Sequence, residues 1–374
     1  MKDECCGARR RKIVREEMKM VINAPEQATP EWLTGVLRES ASLGRATVIS
    51  VRNKLTKMLV LSIVSRLEVD YSADAPASLP SNLFLKISRP DLPPSVYSEF
   101  NNQEVEFYLT VAPTMDDPPF IRCYDAAYSE ESGKSHLLLD DLSETHFQPE
   151  PPLLPSRACR ELAADCMAEL HAYWWEHPRL GKGIGKLFDE VWLTSFLREV
   201  EKNVHGFMNF LGDGLSAERR KIYERLLASK YQIWGRLTEA KGLTVTHGDA
   251  HWWNFLYPRD ADSERVRLFD WHLWHVDLGA RDMAFMIGLG GDLEQRAEEE
   301  LHLVRRYHEG LTGHGVVNYS WEDCWDDYRR SSLRNLNVPV VQWSQGRSES
   351  VWSVNLERAM IAYEELGCSE LLRE

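Results

Sequence analysis

Most of what this sequence predicts depends on the stretch Thr246-His247-Gly248-Asp249-Ala250-His251-Trp252-Trp253-Asn254 and on Leu268-Phe269-Asp270-Trp271, which follows it. An aspartate and an asparagine stand five positions apart, and a second aspartate lies beyond a short predicted hairpin. Phosphoryl transfer from ATP needs one carboxylate that orients a hydroxyl group and takes its proton. It also needs oxygen ligands that hold Mg²⁺ against the phosphates. The spacing therefore predicts Asp249 as the catalytic residue and Asn254 and Asp270 as metal ligands.

The residues around this stretch support that layout. Residues 243–246, 255–257 and 266–269 have the composition of short strands, and the polar run 258–263 predicts a turn between the last two. If those two strands pair antiparallel, Asn254 at the start of one lies beside Asp270 at the end of the other. Two oxygen ligands then converge, and water and phosphate complete the coordination, as Mg²⁺ prefers.

These motifs resemble those of a phosphotransferase family that includes aminoglycoside phosphotransferases, choline kinases and ecdysteroid-kinase-like proteins, which are small-molecule relatives of protein kinases. The resemblance extends over roughly residues 25 to 365 and is greatest to the ecdysteroid-kinase-like branch. It implies an α+β, protein-kinase-like fold with a small β-rich N-lobe and a larger, mainly helical C-lobe. Three further stretches fit the family pattern: Thr29-Pro30-Glu31-Trp32-Leu33, Leu137-Leu138-Leu139-Asp140-Asp141-Leu142 and Leu170-His171-Ala172-Tyr173-Trp174-Trp175.

The chain is long enough for two lobes, each with its own core. Residues 1–24 are expected to form an N-terminal extension, residues 25–142 the N-lobe with a hinge at about 138–142, and residues 143–374 the C-lobe. Backbone groups of Asp140, Asp141 and Leu142 are the expected contacts for the adenine base at this hinge.

Lys86 is a charged residue within an apolar predicted strand, 83–88. A buried lysine is costly unless something pairs with it, and the alternative is a strand lysine that reaches solvent. In kinase-like folds the partners are the nucleotide phosphates and a glutamate on the next helix. The resemblance makes Glu104, three residues before Phe107-Tyr108, the expected glutamate.

The segment 52–58 departs from the family pattern. The resemblance implies a glycine-containing turn here, between the first two strands, that covers the phosphates. The segment contains no glycine, although backbone amides of another turn can still face phosphate. Side chains of Lys54 and Thr56 are the expected additional contacts with the nucleotide.

Composition limits the classes of partner. The chain has 44 basic and 58 acidic side chains and a formal net charge of −14, which argues against a nucleic-acid or anionic-membrane partner. Its seven cysteines include no C-x-x-C pair, no apolar run is long enough to span a bilayer, and the N-terminus lacks a signal-peptide core. These features predict a cytoplasmic location.

The acceptor pocket is expected to involve helices after the metal ligands, and tryptophan is abundant there and in the catalytic loop. Aromatic faces suit a sugar or steroid ring or a quaternary ammonium, whereas acidic residues suit an amine-bearing acceptor. Both kinds of acceptor remain open. The candidate substrate contacts are His251, Trp252, Trp274, Trp321, Trp325 and Asp326.

These observations predict a kinase that transfers the γ-phosphoryl group of ATP or GTP, with Mg²⁺, to a hydroxyl of a small alcohol, sugar, steroid or aminoglycoside-like acceptor. The resemblance also implies that Asp282 braces the catalytic segment. Two alternatives stay open. One is a degenerate kinase-like protein that binds a ligand without turnover, and the other is a metallohydrolase that uses a cluster of His247, Asp249 and His251.

Overall fold

The computed structural model describes residues 20–40, 43–93, 101–239, 241–260 and 264–372. The chain divides into two compact units, Met1–Ser98 with Tyr124–Leu138 and Glu99–Cys123 with Leu139–Glu374. The first unit is built on a β-sheet and the second is mainly helical, which confirms the predicted α+β class. Residues Glu99–Cys123 group with the second unit, whereas the sequence pattern placed them in the N-lobe. The division into functional lobes stays a prediction.

The first unit packs one helix, α1 (Pro30–Glu39), against a five-stranded sheet of order β1-β2-β3-β5-β4. Thr29 caps this helix, because its side chain accepts the amide N–H of Trp32 at 3.2 Å. Buried leucines of the helix and the alternate residues of the central strands form the core. The strands are β1 (Val48–Met58), β2 (Ser62–Tyr71), β3 (Asn82–Ser88), β4 (Cys123–Ser129) and β5 (Lys134–Asp140).

The predicted turn at residues 52–58 is wrong, because β1 continues through this segment and pairs with β2 up to Met58, opposite Ile63. The turn is formed by residues 59–61 instead. Cross-strand ion pairs favour the longer strand: Arg52 contacts Glu68 at 2.9 Å, and Lys54 contacts the same carboxylate at 2.7 Å. Polar residues that suggested a turn are thus the exposed side of a hairpin.

The second unit combines helices with two small sheets, one pairing β7 with β10 and one of order β6-β8-β9. The strands are β6 (His146–Phe147), β7 (Leu243–Thr246), β8 (Phe255–Pro258), β9 (Arg267–Leu268) and β10 (His275–Leu278). Helices in its described residues are α2 (Asn101–Glu106), α3 (Arg157–Trp174), α4 (Glu190–Leu211), α5 (Ala217–Ala228), α6 (Lys230–Trp234), α7 (Ala280–Gly290), α8 (Leu293–Gly313), α9 (Trp321–Asn335), α10 (Asn337–Ser344) and α11 (Glu349–Glu365).

A π-helical turn, Phe107–Val111, continues α2. One tryptophan and one tyrosine side chain fix this segment to the rest of the second unit. The indole N–H of Trp274 donates to the backbone oxygen of Gln103 at 2.7 Å, and the Tyr173 hydroxyl donates to the backbone oxygen of Thr114.

None of the helices in the described part of the chain has the length and hydropathy that a membrane span requires.

Candidate active site

The hairpin β8–β9 brings the two predicted metal ligands together. Phe255 pairs with Leu268, and the amide of Phe269 donates to the backbone oxygen of Asn254 at 3.2 Å. Asn254 therefore lies next to Asp270, and the predicted antiparallel pairing is confirmed. The predicted turn at 258–263 falls partly outside the described residues.

Asn254 links the metal-ligand position to the catalytic loop. Its side-chain amide nitrogen donates to the backbone oxygen of Asp249 at 2.9 Å. This bond fixes the buried side chain and leaves its amide oxygen to accept a cation. The backbone oxygen of Asp249 also accepts the amide N–H of His251 at 2.8 Å. Both hydrogen bonds fix the conformation of the loop from Asp249 to Asn254.

The Asp249 carboxylate is partly exposed, with 23% of its side chain accessible. The imidazole of His251 lies beside it, with Nε2 3.6 Å from Asp249 Oδ2. At this distance the imidazole is close to the carboxylate without a short hydrogen bond. A hydroxyl group can therefore approach Asp249 from solvent.

Asp270 has an unusual backbone, with φ of +69°. Few residues other than glycine adopt this left-handed conformation, and such strain is concentrated at functional sites. Its Oδ1 lies 3.3 Å from Nδ1 of His272, and a third of the side chain is exposed. An amide oxygen and a carboxylate at adjacent strand ends are a donor set that suits Mg²⁺.

Gly248 is required by the geometry of the loop. Its φ is +79°, and a Cβ atom at this position would lie 2.1 Å from the backbone oxygen of Leu273. No side chain fits there without a movement of the backbone. The close approach of the two segments explains why glycine precedes Asp249.

His247 is a structural residue. It is fully buried, its Nε2 lies 2.9 Å from the backbone oxygen of Phe269, and its Nδ1 lies 3.3 Å from the amide nitrogen of Asp249. Burial lowers the pKa of this imidazole. Both ring nitrogens are thus engaged within the loop, and no group of three or more His, Cys, Asp or Glu side chains suited to a metal occurs among the described residues. This geometry does not support the metallohydrolase alternative.

Asp282, at the start of α7, braces the loop as predicted. Its carboxylate accepts the amide N–H of His247 at 2.6 Å and that of Gly248 at 3.0 Å, and His171 Nε2 lies 3.3 Å away. Burial alone would raise the pKa of Asp282, but the hydrogen bonds and the neighbouring histidines lower it. A buried carboxylate therefore fixes the backbone on the N-terminal side of Asp249.

The α2 segment packs directly on the Asp270-Trp271 segment. The Phe107 ring stacks on Trp271 with centroids 3.7 Å apart, and Glu104 is buried one turn earlier. Tyr108 is buried as well, and its hydroxyl donates no hydrogen bond to any described residue. Sequence reasoning missed Tyr108, although its spacing of four residues from Glu104 places both on one helix face.

The first unit carries the other predicted nucleotide contacts. Lys86 lies on β3 opposite Val64 and is half-buried, on the face away from the core residues Leu85 and Ile87. Lys54 forms the ion pair with Glu68 described above, and the Thr56 hydroxyl lies 2.7 Å from Asn53 Nδ2. The roles of all three, and the pairing of Lys86 with Glu104, stay predictions.

The predicted hinge residues Asp140, Asp141 and Leu142 lie at the end of β5, whose last residue is Asp140, and directly after it. The Asp140 amide donates to the backbone oxygen of Arg122 at 3.0 Å, and Asp141 accepts the amide N–H of Ser143 at 3.0 Å. The predicted base contacts of Asp140, Asp141 and Leu142 also stay predictions.

The candidate acceptor contacts differ in exposure. Trp252 and Trp274 are 2% and 4% exposed, which argues against their direct contact with an acceptor. His251 is partly exposed beside Asp249. Trp321 and Trp325 are partly buried on α9 and stack on each other, and Asp326 contacts Arg330 at 2.7 Å on the same helix.

Comparison with known proteins agrees with this architecture. The ecdysteroid kinase-like family model matches residues 60–315. A search of curated protein sequences gave no match.

Several solved structures are similar to the chain. One is a candidate aminoglycoside phosphotransferase from Ralstonia eutropha, with 14% identity, a TM-score of 0.53 and coverage of 92% of this chain and 99% of that one. Choline kinase LicA from Streptococcus pneumoniae has 13% identity, a TM-score of 0.47 and coverage of 90% and 98%. Amicoumacin kinase hAmiN, solved with AMP-PNP and Ca²⁺, has 12% identity, a TM-score of 0.47 and coverage of 89% and 92%.

At these identities the likeness concerns the fold alone, and the first structure shows that the chain has the protein-kinase-like fold of small-molecule kinases. Because the family model spans more than half of the sequence, this chain belongs to the ecdysteroid kinase-like family.

Proposed function

We propose that this protein transfers the γ-phosphoryl group of ATP or GTP to a hydroxyl of a small molecule. The observation that carries the proposal is the convergence of Asp249, Asn254 and Asp270 on one loop and hairpin. This donor set and its order along the chain match what phosphoryl transfer requires.

In the proposed reaction the acceptor hydroxyl oxygen bonds to the γ-phosphorus while the bond from that phosphorus to its bridging oxygen breaks. The nucleoside diphosphate leaves, and the hydroxyl proton passes to the Asp249 carboxylate and then to solvent. The amide oxygen of Asn254 and the carboxylate of Asp270 would hold Mg²⁺, which neutralises charge on the phosphates when bound. Lys86 would supply a further charge-assisted contact with phosphate.

The tethering of the loop supports the role of Asp249. Asn254 and His251 donate to the backbone oxygen of Asp249, and the Asp282 carboxylate accepts the amide N–H of Gly248. These bonds fix the backbone on both sides of the Asp249 carboxylate. A carboxylate held in this way needs little reorganisation when the acceptor binds, which is a main source of catalysis by positioning.

The acceptor is proposed as a small alcohol, sugar, steroid or aminoglycoside-like compound, bound near His251 and, by the proposed role of α9, near Trp321, Trp325 and Asp326. The test is a screen of ATP and GTP against a panel of these acceptors, measured as ADP or GDP released. The Asp249→Asn variant is the control for contaminating activity. If purified protein binds nucleotide but releases no diphosphate with any acceptor, the proposal fails.

One structural observation favours the alternative of nucleotide binding without turnover. The β1–β2 hairpin contains no glycine at its turn, residues 59–61, or along its exposed strand. A ligand-binding protein without turnover would bind nucleotide with Lys86 and Asp270 intact. Nucleotide binding that is measurable by calorimetry, together with no phosphorylated product, would identify this class.

A further inference from the structure

The hydroxyl of Tyr108 is a buried donor that has no acceptor among the described residues. Tyr108 is 5% exposed and Trp271 is fully buried; the indole N–H of Trp271 faces the hydroxyl oxygen and acts to lower the pKa of Tyr108, whereas the phenolic O–H itself donates to no group among the described residues. Buried polar groups are nearly always paired, because an unpaired one loses its hydration without compensation. An unpaired hydroxyl beside a functional site indicates a partner that is present only in another state of the site.

The surroundings of the Tyr108 hydroxyl are acidic. Burial raises the pKa of Tyr108 well above its ordinary value, and the charges of Glu104, Cys123 and Asp270 add to the increase. A tyrosine hydroxyl carries its proton at neutral pH, since its ordinary pKa is about 10, and it can donate to a carboxylate. Glu104 lies one helical turn before Tyr108, and Asp270 directly precedes Trp271.

The segment that carries Tyr108 cannot easily turn away from this position. Phe107 stacks on Trp271 with ring planes 7° apart, and Trp274 donates to the backbone oxygen of Gln103. These contacts hold α2 and its π-helical continuation against the Asp270 segment. Tyr108 is thus held against the segment that begins with the proposed metal ligand Asp270, by packing that does not involve the hydroxyl itself.

We propose that Tyr108 is a positioning residue of the metal site, whose hydroxyl hydrogen-bonds the Asp270 carboxylate when a divalent cation is bound. This inference rests on the proposed role of Asp270 as a metal ligand. Groups that hydrogen-bond a ligating carboxylate orient it, and their loss typically lowers metal affinity or activity by roughly 10–100-fold. Tyr108 would then stabilise the loaded site and not the empty fold.

The Tyr108→Phe variant should separate two properties, the thermal stability of the metal-free protein and its affinity for a cation. Tyr108→Phe removes an unpaired buried hydroxyl, so the metal-free protein should keep or gain thermal stability. The same variant should bind cation about 10-fold more weakly. A purely structural tyrosine would show the opposite pattern.

Tyr223 is the matched control. It is also fully buried, but its hydroxyl donates to the backbone oxygen of Leu336 at 3.0 Å, away from the catalytic loop. Tyr223→Phe should lower the melting temperature and leave cation affinity unchanged. Comparison of the two variants removes the general effect of deleting a buried hydroxyl.

The experiment is a titration of the full-length protein with Mn²⁺ alone, followed by electron paramagnetic resonance, with thermal unfolding in EDTA measured in parallel. The wild type, Tyr108→Phe, Tyr223→Phe, Asp270→Asn and the double variant Tyr108→Phe/Asp270→Asn are compared. The expected result is a loss of about 10-fold in Mn²⁺ affinity for Tyr108→Phe and no further loss when this change is added to Asp270→Asn.

Three other outcomes each have a definite meaning. Wild-type affinity in Tyr108→Phe with loss in Asp270→Asn overturns the inference and leaves the proposed function standing. A lowered melting temperature in Tyr108→Phe, similar to that of Tyr223→Phe, also overturns it, because the hydroxyl is then structural. Wild-type affinity in Asp270→Asn shows that the metal site, and with it the proposed function, is wrong.

Discussion

The ring of Phe107 lies face to face with that of Trp271, with centroids 3.7 Å apart and planes 7° apart. The contact joins the helical segment that carries Glu104 to the segment that carries Asp270. Trp271 in turn lies 4.7 Å from the His247 ring, measured between centroids. A continuous aromatic contact therefore connects the segments that carry Glu104, Asp270 and His247, which explains how these segments keep a common geometry.

Asp249→Asn should abolish turnover and leave nucleotide binding almost unchanged. The carboxylate is expected to act on the acceptor hydroxyl, so its loss affects the transition state and not the nucleotide complex. We expect kcat to fall by about 100-fold or more, the usual contribution of a general base. Diphosphate release and nucleotide affinity by calorimetry measure the two effects, and near-full turnover in a pure variant would contradict the assignment.

Gly248→Ala should destabilise the protein and inactivate it. The new Cβ would overlap the backbone oxygen of Leu273 in addition to straining a left-handed backbone. Gly346 is a suitable control because its φ is +74° and nothing lies within 4 Å of a Cβ there. In chemical denaturation we expect a loss of about 1 kcal/mol for Gly346→Ala and about 3 kcal/mol for Gly248→Ala. Equal losses would show that no clash occurs.

His275 should stabilise the fold more at acidic than at alkaline pH. Its Nδ1 lies 2.9 Å from the backbone oxygen of Leu273 and its Nε2 lies 3.3 Å from Asp277, so both ring nitrogens face acceptors. Burial alone would lower the pKa of His275, but the hydrogen bond and charge of Asp277 outweigh it and raise the pKa. A raised folded-state pKa adds stability that is complete below the unfolded pKa of about 6.5. That stability is lost as pH rises through the folded pKa.

His275→Gln should therefore cost more free energy of unfolding at pH 5.5 than at pH 9. Denaturant titrations at the two pH values measure the difference. His205→Gln, at an exposed histidine on α4, is the control and should have the same small effect at both. A pH-independent cost for His275→Gln would mean that folding leaves the pKa of this imidazole unchanged.

Trp325→Leu tests the proposed acceptor region. Trp325 stacks between Trp321 and Tyr328, with centroid distances of 5.7 and 5.5 Å. An aromatic contact of about 1 kcal/mol corresponds to roughly a fivefold rise in KM for the acceptor, and KM for the nucleotide should not change. Trp192→Leu is the matched control, since Trp192 on α4 also stacks between two aromatic rings, Phe188 just before the helix and Phe196 within it.

Asp326→Asn then distinguishes the two kinds of acceptor. A loss for Asp326→Asn alone indicates a cationic acceptor, whereas a loss for Trp325→Leu alone indicates an apolar ring. Asp327 is unsuitable for this comparison, because it is buried and paired with Arg236 and Tyr319. Wild-type KM values in both variants would place the acceptor pocket elsewhere.

The catalytic loop could be predicted from sequence because its geometry is local. Asn254 and Asp270 are joined by one hairpin, so strand composition and turn residues suffice to bring them together. The glycine at Gly248 was visible in the motif, but its reason, the backbone of Leu273, depends on how two segments pack. The brace by Asp282 was expected only from family resemblance.

Other features depend on packing that no short pattern shows. Polar residues from Arg52 to Met58 suggested a turn, yet they continue a strand whose exposed face carries ion pairs with β2. Trp252 and Trp274 stand near Asp249 in sequence, but position along the chain does not say which way a ring points, and both rings are buried. The grouping of Glu99–Cys123 with the second unit likewise follows from tertiary contacts.

The left-handed backbone at Asp270 also restricts which residues can replace this aspartate during evolution. Glycine and asparagine tolerate a φ of +69° at little cost, whereas β-branched and bulky residues do not. A relative that lost phosphotransfer but kept its fold under selection should therefore carry glycine or asparagine at this position. A valine or isoleucine there would cost about 1–2 kcal/mol unless this segment adopted another backbone conformation.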